Sequence, residues 1–100
     1  MAATIECSGE VEIICEDLDL RPHSMARLVF RVYEDSAPPY QIRVRAPSGK
    51  VILERVIRVL PTGEPQSPPP VTFSVQQGTY DIHIKELKGT AEGHASLTVA

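Results

Sequence analysis

Apolar and polar residues alternate one by one through most of this chain, and the three- to four-residue apolar spacing of an amphipathic helix is rare. Successive side chains of a strand point to opposite faces, so this alternation marks half-buried strands. It predicts strands at Thr4–Cys7 and Val11–Cys15, split by Ser8-Gly9. A third is expected over Ala26–Tyr33, with Leu28, Phe30 and Val32 on one side and Arg27, Arg31 and Tyr33 on the other. In Tyr40–Arg45, Tyr40, Ile42 and Val44 alternate with Gln41, Arg43 and Arg45. Val71–Val75, Tyr80–Ile84 and Ala95–Val99 repeat the pattern. The expected core includes Phe30, Ile42, Val44, Phe73, Tyr80, Ile82 and Leu97.

Lys50–Leu60 admits two drawings, because its apolar residues also fall at helical spacing. Five β-branched residues among eleven, with a turn at each end, favour a strand. The alternation slips between Leu53 and Val56, which predicts a bulge near Glu54-Arg55 or two short strands. Between the strands lie Glu16–Ser24, Glu34–Pro39, Pro47-Ser48-Gly49, Gln76-Gln77-Gly78 and Lys88–Gly93, and all six glycines are expected in turns. Seven or eight short strands with turns between them predict an all-β fold. The expected architecture is a single antiparallel β-sandwich of two sheets spanning residues 1–100.

Composition narrows the function classes. Values of 42% hydrophobic and 23% charged residues are ordinary for a globular chain, which argues against disorder. No apolar run approaches the roughly 18 residues of a membrane span. The first twenty residues carry six acids and no base, the reverse of a secretory leader, so a cytoplasmic protein without membrane insertion is expected.

Charge is segmental. Residues 1–20 sum to −6, residues 21–60 hold eight bases against three acids, and the net charge is −3. The simplest expectation is acidic N-terminal strands pairing beside basic middle strands. A sharper one is a basic face of Arg43, Arg45, Arg55 and Arg58 meeting an acidic protein partner or phosphate. Nucleic acid is disfavoured, since the pI is about 5.5 and no aromatic residue interleaves with the arginines.

Pro61–Pro70 contains five prolines in ten residues, which favours an extended polyproline conformation in an inter-strand loop. Within it, Pro65-Gln66-Ser67-Pro68 matches the short pattern read by aromatic-lined docking grooves, so Pro65 and Pro68 join the candidate contact residues.

Chemistry is sparse. Cys7 and Cys15 are eight apart on consecutive strands and are expected as reduced, buried or half-buried thiols. His23, His83 and His94 have no H-x-x-x-H or C-x-x-C companion, so no metal site or other cofactor is expected, and His83 falls on an outward strand phase. Glu16, Asp17 and Asp19 offer at most a weak calcium loop without the spacing of an EF-hand. Ser24 beside His23, and His94 near Ser96, supply residue types but no nucleophile motif, so no enzymatic activity is expected.

Residues 45–99 carry Arg-Ala-Pro-Ser-Gly-Lys-Val-Ile, then a long strand and loop, then Val-Thr-Phe-Ser-Val-Gln-Gln-Gly-Thr-Tyr-Asp-Ile-His-Ile. This order resembles the immunoglobulin-like sandwiches of the GOLD and macroglobulin types. The resemblance implies that Tyr80, preceded by Gly78, packs its ring at a corner of the sandwich with its hydroxyl bonded to backbone. It also implies a role in protein–protein contact. Two functions are therefore expected in competition: a non-enzymatic binding module, or a structural protomer that self-associates through edge strands.

Overall fold

The structure is a computed structural model of the 100-residue chain, and it describes residues 3–16, 25–32 and 37–99. Among these residues the fold is all-β, with eight strands and no helix. In chain order they are β1 (Ala3–Gly9), β2 (Val11–Glu16), β3 (Met25–Val32), β4 (Tyr40–Arg45), β5 (Val51–Ile57), β6 (Val71–Ser74), β7 (Gly78–Glu86) and β8 (Glu92–Val99). They form two antiparallel sheets, one of five strands ordered β1-β8-β7-β4-β5 and one of three ordered β2-β3-β6. Among the described residues, no helix is long and apolar enough to cross a membrane.

Alternation places the core. Ile42 and Val44 of β4 lie opposite Ile84 and Ile82 of β7, with Tyr40 on the same phase of β4, so that two rows of apolar side chains share one face of the larger sheet. Ala95, Leu97 and Val99 of β8 continue that face. The smaller sheet contributes Val11 and Ile13 from β2, Ala26, Leu28 and Phe30 from β3, and Val71 and Phe73 from β6. These residues from both sheets form one apolar cluster that contains every expected core residue. Val29, on the opposite phase of β3, is buried as well; it lies across from Ile14 of β2.

Acidic β2 runs beside basic β3, and Glu12 lies opposite Arg31 with 3.9 Å between charged atoms. The acidic N-terminal register is thus answered within the chain, where strand pairing between copies was also conceivable.

Three local expectations need correction. The bulge lies not at Glu54-Arg55 but beside the preceding turn. Val44 faces Leu53 while Arg45 faces Val51, which leaves Ile52 as the extra residue. The slip in alternation at Glu54-Arg55 has another cause: Arg55 shares the inward phase of Leu53 and Ile57, opposite Ile42, on an edge strand where it stays exposed. An edge strand has no next neighbour to enforce an apolar residue there. Second, three of the six glycines lie in strands and not in turns: Gly9 ends β1, Gly78 opens β7, and Gly93 is buried inside β8, where a Cβ would collide with the Val11 carbonyl. Third, Cys7 is exposed while Cys15 is half-buried; both are free thiols. Of the expected loop at Glu16–Ser24, Glu16 is the last residue of β2, and residues 17–24, with the calcium-type acids Asp17 and Asp19, lie outside the described residues.

Candidate functional site

The outer face of the five-stranded sheet carries most of the polar chemistry. Direct cross-strand pairing assembles one row across all five strands: Ser8 of β1, His94 of β8, His83 of β7, Arg43 of β4 and Glu54 of β5. Directly opposed side chains share a face and lie within reach of one another.

At the β5 end of this row, Arg43 donates from Nε to Glu54 Oε2 at 3.0 Å, and Gln41 Nε2 donates to the other oxygen, Oε1, at 3.3 Å. Glu54 is flanked on its own strand by Ile52 and Val56, whose exposures of 42% and 49% are high for large apolar side chains. Val59, just beyond β5, is 63% exposed. The result is an apolar stripe broken by a neutralised ion pair.

At the centre, the His83 and His94 rings stack with centroids 4.3 Å apart and planes inclined by 17°. Glu92 lies two residues before His94 on the same face of β8, and its carboxylate reaches both rings. The Nε2 atoms of His83 and His94 stand 3.2 and 4.0 Å from its two oxygens. A surface depression of about 410 Å³ adjoins the rings and is bordered by Arg43, Arg45, Asp81 and Ser96. Glu10 closes the β1 side, where its carboxylate accepts the Glu92 backbone N–H at 3.2 Å. That hydrogen bond holds the Glu10 carboxyl below the usual glutamate range.

The arginines expected to act together are separated. Arg43 and Arg45 share the outer face, with Arg43 engaged by Glu54 and Arg45 Nη1 donating to the Gly49 carbonyl at 3.2 Å. Arg55 has the opposite phase, across from Ile42, and Arg58 is exposed past the end of β5. The four therefore do not form one basic face.

Pro65 and Pro68 are not held in an extended ligand either. Pro65-Gln66 are the central residues of a turn closed by the Ser67 N–H to the Glu64 carbonyl at 2.9 Å. Proline's fixed φ suits the second position of such a turn. Pro68 is half-buried, and the preceding Pro61 is buried with its carbonyl accepting the Phe30 N–H.

Sequence reasoning missed the histidine cluster because it searched for helical and zinc-finger spacings. The signal was present as Glu92-Gly93-His94, a strand-type i, i+2 pair, joined by a short connection to a β7 histidine of matching phase. Only the hairpin register, which sets 83 against 94, turns two scattered histidines into neighbours.

The chain matches no protein-family profile, no curated protein and no solved structure in these comparisons.

Proposed function

We propose that the two sheets pack as an immunoglobulin-like sandwich and that the chain is a non-enzymatic protein-binding module. The sandwich reading is supported by a core cluster drawn from both sheets and by Tyr80, whose buried hydroxyl accepts the Gln76 backbone N–H at 2.8 Å.

The observation that carries the binding role is the stripe Ile52, Glu54, Val56 on β5, with Arg43 and Gln41 beside it on β4. Large exposed apolar side chains on a strand, with the charge between them already paired to Arg43, suit a protein partner. A partner covering this stripe would remove Ile52 and Val56 from water without stranding an unpaired charge. The partner chemistry that fits is an apolar segment with polar flanks.

Self-association through the edge of β5 is the weaker reading. Its bulge at Ile52 and its inward-phase Arg55 are devices that blunt edge-to-edge pairing. The acidic side chains of β2 face basic β3 within the chain, while β2 itself keeps one open edge.

Selection of binders from a displayed peptide library tests the proposal, with each binder assayed against the wild type and against Ile52→Lys and Val56→Lys. Binders that lose affinity for both variants support it. Binders indifferent to both would sink the assignment, and a concentration-dependent rise in light-scattering mass would return self-association to first place.

A further inference from the structure

We propose that His83, Glu92 and His94 form a binding site for a zinc-class transition-metal dication on the outer face of the sheet. The site is separate from the β5 stripe and does not depend on the protein-binding role.

Two imidazoles and one carboxylate are a recognised donor set for zinc, with three protein ligands leaving a further position open to water or another ligand. In this chain the backbone fixes all three. His83 and His94 are directly opposed in the β7–β8 ladder, and Glu92 projects from the same side of β8 as His94. One ligand atom from each residue can be chosen so that all three lie within 4.8 Å of one another. With metal–ligand bonds of about 2.0–2.1 Å, tetrahedral ligand atoms sit about 3.3 Å apart. His83 Nε2 to Glu92 Oε2, at 3.2 Å, already has that separation. His94 Nε2 lies 4.0 Å from the other oxygen, Oε1, and the stacked imidazoles must turn out of their parallel arrangement for both in-plane lone pairs to meet one ion.

The surroundings permit a cation. Arg43 faces His83 from β4, but its charge is engaged by Glu54 of β5. Lys85 lies opposite Glu92, while Asp81 borders the depression and the Glu10 carboxylate is anchored at the Glu92 backbone. Ser8 of β1, opposite His94, brings no charge. The side chains of His83, Glu92 and His94 are 31%, 52% and 57% exposed, so an ion enters from solvent without opening the fold. Imidazole nitrogen favours copper and zinc over magnesium or calcium, which prefer sets made only of oxygen.

Binding must compete with protons, because a metal takes imidazole in its neutral form. Acid therefore weakens the site.

The test is calorimetric titration of the full chain with zinc chloride, in a Cys7→Ser/Cys15→Ser background that removes thiolate binding. Magnesium chloride serves as the control. One equivalent of zinc is expected, with affinity falling at least about tenfold in His83→Ala, in His94→Ala and on acidification from pH 7.5 to 5.5. Glu92→Gln is expected to weaken binding by about tenfold while leaving circular dichroism unchanged. Zinc-dependent shifts confined to the His83 and His94 ring resonances provide an independent readout. Absence of zinc binding would overturn the proposal, as would binding that survives the His83→Ala/His94→Ala double variant or magnesium binding of equal strength.

Discussion

Arg43 and Glu54 face each other across β4 and β5 with Nε and Oε2 3.0 Å apart, and Ile52 and Val56 flank the glutamate on its own strand. The pair is 40% and 46% exposed, so it adds at most about 1 kcal/mol to folding. The pair also bears on the proposed recognition. Both charges arrive at the stripe already neutralised, and a partner can cover them without supplying a counter-charge.

Because Ile52 and Val56 face solvent, replacing either with lysine should change unfolding free energy by no more than about 0.5 kcal/mol. Denaturant titration checks this directly. A large loss of stability would mean that the stripe is structural, and binding data from these variants would then lose their meaning.

Tyr80 tests the proposed sandwich corner. Its ring packs 5.7 Å from that of Phe73, and its hydroxyl holds the Gln76 N–H. Tyr80→Phe keeps the ring and removes that hydrogen bond, for an expected loss of about 1–2 kcal/mol in urea unfolding. An unchanged midpoint would mean that solvent replaces the hydroxyl at no cost.

Two glycines should respond differently to alanine. At Gly93 the added methyl meets the Val11 carbonyl, and overpacking of this kind costs about 1–3 kcal/mol or more. At Gly49 nothing lies near the added methyl, but φ is +89°, so the penalty is backbone strain of about 1–2 kcal/mol. Thermal melts of the two variants, combined with core signals in methyl NMR spectra, separate these causes. Gly93→Ala should perturb residues around Val11, whereas Gly49→Ala should leave the core signals in place.

Glu10 gives a pH dependence of known sign. Its carboxyl is held below the usual glutamate range by the Glu92 backbone N–H. The folded form therefore gains stability from ionised Glu10 above the ordinary glutamate pKa, and loses it as pH falls through the lowered folded value. Unfolding measured from neutral to acid pH should show a shallower decline in Glu10→Gln than in the wild type. Parallel profiles would remove Glu10 from the account.

The strands were legible in the sequence because most are half-buried on one face, and burial writes a period of two into residues such as Tyr40, Ile42 and Val44. Legibility fails where that pressure is absent. Edge strand β5 has no fully buried residue, so Arg55 could occupy an inward phase and blur the bulge at Ile52. The candidate contacts were read less well than the strands. The grouping of Arg43, Arg45, Arg55 and Arg58 assumed one face, whereas strand phase sets Arg55 apart from Arg43 and Arg45. Pro65 and Pro68 matched a linear motif that the turn at Glu64–Ser67 folds up. His83, Glu92 and His94 required the register of a hairpin, which alternation alone leaves open.

The most direct test of the binding role is amide hydrogen exchange of the chain, free and with a library-selected binder, read segment by segment. Protection gained across Val51–Ile57 and the facing Tyr40–Arg45, and lost with Val56→Lys, is the predicted result. Protection confined to other segments, with Val51–Ile57 exchanging as in the free chain, would contradict the assignment of the β5 stripe as the recognition surface.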